Sequence, residues 1–320
     1  MKKRKSWIIV LAVVLGCLAG IGVLVELGGI KITKPMLRLF MASSNKLNET
    51  VTYADSCDSR IGIPYVQDGT PAQVLDVYYA KEKRKDAVVI DIHGGFYVAG
   101  MRQNYRPIAS ILLKEGYDVV LIEYRLNDGT TDVSDELQDC AAAMDYLALH
   151  AEELGLNKER MFLTGDSAGG HLALYMAEGA EDRTLPIHTD YFTTKGVLLN
   201  CPSYDFASFA NPRLFTKSAM EWFIGPRYED QEWTASISPR TFFRSYSGPL
   251  FVSTSRYDFI RFQSLLLKAD CDSLGRPVEF IDIASTSMKV GHIHNVLNPG
   301  LNESKEVNSR MIQFLNNCLP

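Results

Sequence analysis

Gly165-Asp166-Ser167-Ala168-Gly169-Gly170 follows the short apolar run Met161-Phe162-Leu163-Thr164 and precedes His171-Leu172-Ala173-Leu174-Tyr175-Met176-Ala177. The stretch reads as strand, very sharp turn, helix. A serine with glycines two residues before and two residues after it is the nucleophile-elbow pattern, in which a side chain at either flanking position would collide with its neighbours. Such a turn lifts the Ser167 hydroxyl clear of a sheet edge. The following helix aims backbone N–H groups and the positive end of its dipole at any oxyanion formed there. The pattern alone is also compatible with a flexible loop, so its context has to decide.

Working outward, the chain alternates. Val74–Tyr79 and Ala87–Ile92 read as strands joined by a charged, hairpin-like turn over Lys81–Asp86, and the almost uninterrupted apolarity of Ala87–Ile92 predicts a strand covered on both faces. A helix over Pro107–Glu115, a strand over Val119–Ile122 and a long helix from Ser134 to Leu154 precede the elbow. A strand at Gly196–Leu199 follows it, then an irregular, aromatic-rich insertion from Pro202 to Gly248 containing Trp222, Phe223 and Trp233. Beyond it lie a strand Pro249–Thr254, a helix Phe262–Leu274, a last strand Val278–Ile283 and a C-terminal helix over Ser304–Leu315. This is an α/β pattern: a mostly parallel central sheet with helices on both faces, its active site at the carboxyl ends of the strands.

Composition narrows the function classes. The 320 residues are 46% hydrophobic with a net charge of -5, and without the basic N-terminus the remainder is more acidic still, which argues against a nucleic-acid partner. Six cysteines show no C-x-x-C spacing, so neither a zinc site nor a thioredoxin-type motif is supported. At the N-terminus, Lys2 to Lys5 form a basic cluster and Trp7 to Val25 carry no charge, enough at helical rise to cross a hydrocarbon core of about 30 Å. We read residues 1–29 as a single-pass anchor or signal sequence, with the body outside the cytoplasmic membrane. Cleavage, or lipidation at Val14-Leu15-Gly16-Cys17, is the alternative and gives a secreted or lipid-anchored body. Residues 30–60 form a connecting segment, and the catalytic domain is expected over 61–320.

A serine nucleophile needs a base, and the base an orienting group. His93, His150, His171 and His188 lie in a glycine turn, a polar helix, the outward side of the helix after the elbow and a Pro-bounded loop. His292 and His294 sit in the turn after the last strand, and Gly291 favours His292, since His294 equally suits a helix cap. Asp258, shortly after the strand ending at Thr254, can accept the other ring proton of the histidine and fix its tautomer. Asp205 is the second candidate, while Asp270 and Asp272 fall on a helix face away from the strand ends. Ile92-His93-Gly94-Gly95-Phe96-Tyr97 follows a central strand and can turn consecutive amides toward an oxyanion, joined by the Ala168 amide.

Together, His93-Gly94-Gly95 with Phe96-Tyr97, Tyr124-Arg125-Leu126, the elbow, Asp258 and His292 resemble the hormone-sensitive-lipase-like branch of the α/β hydrolases, over roughly Val74 to the C-terminus. The resemblance implies an α/β-hydrolase fold and a carboxylesterase. It implies Ser167 as nucleophile, His292 as base, Asp258 as acid, and the amides of Gly94, Gly95, Phe96 and Ala168 as oxyanion hole, in the chain order Ser, Asp, His. It assigns His93 to holding the glycine loop and Lys31–Arg60 to a small cap. It requires no cofactor and no metal; the partner is a small-molecule ester. One departure stands out: the family has a third glycine where this chain has Phe96, whose side chain then narrows the acyl pocket. A serine peptidase of the same fold and a non-catalytic binding protein are the rival readings.

Overall fold

The computed structural model describes residues 52–209 and 217–319. The anchor read over residues 1–29, and all of the connecting segment before residue 52, lie outside the described residues. Among the described residues no helix is long and apolar enough to cross a membrane.

In chain order the strands and α-helices are β1 (Ser59–Pro64), β2 (Val74–Tyr78), β3 (Val88–Ile92), α1 (Arg106–Lys114), β4 (Asp118–Ile122), α2 (Val133–Leu149), α3 (Ala151–Leu154), β5 (Met161–Asp166), α4 (Ala168–Glu181) and β6 (Val197–Asn200). They continue with α5 (Phe206–Phe209), α6 (Lys217–Phe223), α7 (Gln231–Ser236), α8 (Pro239–Phe242), β7 (Leu250–Ser255), α9 (Arg261–Ser273), β8 (Glu279–Ile283), α10 (His294–Leu297) and α11 (Asn302–Asn317). The strands make one sheet in the order β1-β2-β4-β3-β5-β6-β7-β8. Pairing is antiparallel from β1 to β2 and from β2 to β4, and parallel across the rest.

Alternation along each strand sorts side chains into two cores. Val88, Ile90 and Ile92 of β3 and Val120 and Ile122 of β4 face the core built with α2, α4 and α9, whereas Val89, Val119 and Leu121 face the one built with α1 and α11. Burial on both faces is why these strands read as continuous apolar runs. At the start of α2 the sequence provides partners for the orphan N–H groups: Asp132 caps the helix through the Ser134 N–H at 2.8 Å, and Asp135 reaches back to the Asp132 N–H at 2.9 Å.

Two expectations need correction. The charged turn Lys81–Asp86 does not close a hairpin: β2 pairs with β4 (Leu75 opposite Ile122), and β3 lies on the far side of β4. Adjacent strands in sequence need not be adjacent in the sheet once a parallel crossover is available. The insertion after β6 is also more regular than expected, since its described part folds into the short helices α5 to α8. Of the segment read as a cap, residues 52–60 are described. Its turn Tyr53–Ser56 packs on the flank of α1, with Ala54 N–H donating to Ser110 Oγ at 2.9 Å and Arg106 paired to Asp55 at 2.6 Å. Ser59 and Arg60 already belong to β1.

Candidate active site

The elbow sits where β5 meets α4. Ser167 has φ +54° and ψ −119°, a strained conformation for a residue with a side chain. The flanking glycines permit it: a Cβ on Gly165 would overlap the Gly169 carbonyl, and a Cβ on Gly169 would overlap the Ile92 carbonyl oxygen. Backbone bonds lock the turn from the β6 side. Ser167 N–H donates to Asn200 O at 2.9 Å, and Ser167 O accepts from Ser203 N–H at 3.0 Å.

Asp258 and His292 come together although 34 residues separate them. His292 Nδ1 lies 2.6 Å from Asp258 Oδ1, while Thr254 Oγ1 donates to Asp258 Oδ2 at 2.8 Å and Ile260 N–H to Oδ1 at 3.0 Å. Burial alone would raise the Asp258 carboxyl, but the neighbouring His292 and these hydrogen bonds hold it below its ordinary value. Because Nδ1 faces a carboxylate, it carries the proton, and the lone pair is left on Nε2. That nitrogen is buried and has no hydrogen-bond partner among the described residues. The Phe259 ring packs 4.3 Å from the imidazole and itself lines the same cavity as Ser167.

The glycine turn after β3 lies against the elbow, a Cβ on Gly94 standing 3.2 Å from Ser167 Cβ. Gly95 has φ +141°, and Phe96 and Tyr97 have φ +57° and +64°. The position where the resembling family has a third glycine is left-handed in this chain, and Phe96 occupies it at a steric cost. Gly94 departs from its expected role: its N–H donates to Tyr105 Oη at 2.9 Å, so it is not free for an oxyanion. The Gly95, Phe96 and Ala168 amides have no such partner among the described residues.

Below the loop, His93 Nδ1 meets Gly94 O at 2.9 Å and Nε2 meets Glu123 Oε1 at 2.9 Å; Arg102 pairs with Glu123 at 3.2 Å and with Asp76 at 2.9 Å. Burial would raise Glu123, yet His93 and Arg102 keep it low. Glu123, Arg102 and Tyr105 were not legible as site residues, because single charged or aromatic residues in loops carry no spacing signal.

The remaining candidates separate clearly. His171 is not outward-facing. It is fully buried, Nε2 donates to Ile237 O at 2.7 Å, and burial pushes its pKa down to about 4. His294 opens α10 with Nδ1 on Gly291 O at 3.2 Å, and it is His292 that pairs with Asp258. Asp205 pairs with Arg240 at 3.1 Å, and Asp270 with the same guanidinium at 2.8 Å. Ser167 opens into a narrow, part-open pocket whose walls include Phe96, Phe206, Phe223, Phe259, Met220 and Ile224. Phe96 touches both sides of it, its ring 4.8 Å from Phe223 of α6 and 5.7 Å from Phe259.

A sheet with this strand order, a strained serine at the end of β5 and a carboxylate–imidazole pair delivered after β7 and β8 define an α/β hydrolase. Residues 75–268 match the BD-FAE family, and the chain belongs to that family. Among curated relatives it is 25% identical over 221 residues to an α/β hydrolase of Acanthamoeba polyphaga mimivirus, covering 66% of this chain and 62% of that one. It is 31% identical over 99 residues to lipase 2 of Moraxella sp., covering 31% and 23%. With an acetyl esterase of Salmonella schwarzengrund it shares 29% over 106 residues, covering 33% and 32%. In none of the three does the match reach two thirds of the relative's length. Among solved structures, inhibitor-bound esterase B from Lactobacillus rhamnosis superposes with a TM-score of 0.77 at 24% identity, covering 88% of this chain and 93% of that one. A bacterial heroin esterase superposes at 0.71 and 20% identity, covering 91% and 94%.

Proposed function

We propose that this chain is a serine carboxylic-ester hydrolase working through an acyl-enzyme intermediate. The carrying observation is the 2.6 Å Asp258–His292 pair, which leaves Nε2 as the free basic nitrogen of an imidazole packed on Phe259, a wall of the cavity that holds Ser167. Nε2 takes the Ser167 proton as the hydroxyl attacks the ester carbonyl, and Asp258 holds the imidazolium that forms. The oxyanion is received by the amides of Gly95, Phe96 and Ala168, the last at the positive end of α4. His292 then protonates the departing alcohol, and water repeats the sequence to release the acid. The aromatic walls of the cavity suit an uncharged, apolar acyl group.

We further propose that residues 1–29 anchor the chain in the cytoplasmic membrane with the hydrolase outside, a reading supported by the basic cluster ahead of an uncharged Trp7–Val25 run. Membrane fractionation with protease accessibility of the body tests this placement.

The catalytic assignment is tested by a fluorophosphonate probe and by turnover of p-nitrophenyl esters. The probe should label Ser167, and Ser167→Ala should abolish both labelling and turnover; a Ser167→Ala protein with undiminished turnover refutes the assignment.

A further inference from the structure

Cys201 follows β6 with φ +49°, in the left-handed region that disfavours a side chain, and its thiol is buried. The sulfur meets the loop that carries the base: Ile293 N–H donates to Cys201 Sγ at 3.3 Å. Cys201 Sγ, an Asp258 carboxylate oxygen and a His292 ring nitrogen all lie within 4.8 Å of one another. The esterase chemistry proposed above uses the last two groups and leaves the sulfur idle.

We propose that Cys201, Asp258 and His292 form an inhibitory site for a thiophilic divalent cation of the zinc and cadmium kind. One sulfur, one oxygen and one imidazole nitrogen are the donor set such ions prefer, with a fourth position left to water. Tetrahedral bonds of about 2.0–2.3 Å put donors roughly 3.3–3.8 Å apart. Binding therefore draws the sulfur inward by about 1 Å or less and parts the Asp258–His292 pair by a similar amount. The half-exposed Phe259 over the imidazole gives the ion an entry path from the cavity mouth.

The chemistry balances. The thiol releases its proton, and thiolate and carboxylate together neutralise the 2+ charge. His292 loses the proton from Nδ1 to solvent and takes one up at Nε2, so the ring stays neutral. A ring bound through Nδ1 then carries N–H at the position that must accept the Ser167 proton, and turnover stops. The inhibitory consequence rests on His292 being the base; binding of the ion does not.

The test uses the whole protein, stripped with EDTA and titrated with CdCl2 while cadmium–thiolate charge-transfer absorbance and p-nitrophenyl acetate turnover are followed together. Both signals should move with one midpoint, and EDTA should restore turnover. In Cys201→Ser, which keeps an acceptor for Ile293 N–H, that absorbance step should vanish and the inhibitory concentration, normalised to the variant's own metal-free rate, should rise at least about 10-fold. Cys201→Ala repeats the comparison without a hydroxyl. Unchanged sensitivity in these variants, or no Cys201-dependent absorbance in the wild type, overturns the proposal. Fluorophosphonate labelling run in parallel separates the two readings: a labelled but cadmium-insensitive protein sinks only the metal site, and an unlabelled one that shows the absorbance step sinks only the esterase.

Discussion

Phe96 decides both a local strain and the width of the acyl pocket, so replacing it separates the two. At φ +57° a non-glycine residue costs about 1–2 kcal/mol, which Phe96→Gly recovers. Against this, glycine loses about 0.5–1 kcal/mol of extra chain entropy. Removing a half-buried phenyl costs about 1–1.5 kcal/mol of apolar burial, and its contacts with Phe223 and Phe259 add roughly 0.5–1.5 kcal/mol. The losses win narrowly, and Phe96→Gly should be destabilised by about 1–2 kcal/mol, a few degrees in Tm. Phe96→Ala loses the same contacts but keeps the left-handed penalty, so the alanine variant should be the less stable of the two, the reverse of the usual order. In turnover, the opened wall admits longer chains. Each buried methylene contributes about 0.8 kcal/mol, so four of them allow up to about 200-fold, and kcat/KM for p-nitrophenyl octanoate relative to butyrate should rise at least about 10-fold in both variants. Denaturant midpoints and the ester series read these outcomes. A more stable alanine variant refutes the strain argument; an unmoved chain-length profile refutes Phe96 as the closing wall.

Asp258→Asn should lower kcat by about 10³–10⁴, because an amide facing Nδ1 favours the tautomer with the proton on Nε2; steady-state kinetics check this, and a loss under tenfold contradicts the role. Asp166→Asn acts on stability. Burial raises Asp166 to about 6 from an ordinary 3.8, so the stability it contributes is present below pH 3.8 and is lost as pH rises through 6. The penalty grows from roughly 2 kcal/mol at pH 5 to roughly 3 kcal/mol at pH 7.5, and the variant's advantage in stability from urea melts should widen by roughly 1 kcal/mol between them. A pH-independent difference would remove Asp166 as its source. Gly169→Ala should cost more than about 3 kcal/mol, since its Cβ meets the Ile92 carbonyl in a backbone contact that has nowhere to move; soluble yield and thermal melts report it.

Much of the fold was legible because its signals are local. β3 and β4 announced themselves by almost continuous apolarity, the two-residue spacing of Gly165, Ser167 and Gly169 marked the elbow, and the helix boundaries fell within a few residues of those observed. The strand partner of β2 was not legible, because pairing is chosen by which edge the crossover leaves open. His171 shows the same limit, since nothing in its neighbours reveals that α7 and the chain after it, ending at Ile237, roof that side of α4.

Taken alone, the sequence determined residue types and their order: a serine between glycines, a glycine turn after a strand, then an acid and a histidine each following a strand near the C-terminus. These are properties of a few consecutive residues, and backbone sterics and hydrogen-bonding rules act on them directly. Only the tertiary structure decided which acid meets which histidine, that the Gly94 amide is spent on Tyr105, that Glu123 and Arg102 brace His93, and that the Cys201 sulfur faces the Asp258–His292 pair. Each of those contacts joins segments distant in sequence. Their distances are set by sheet order and by packing of loops at one end of the strands, which no local pattern encodes.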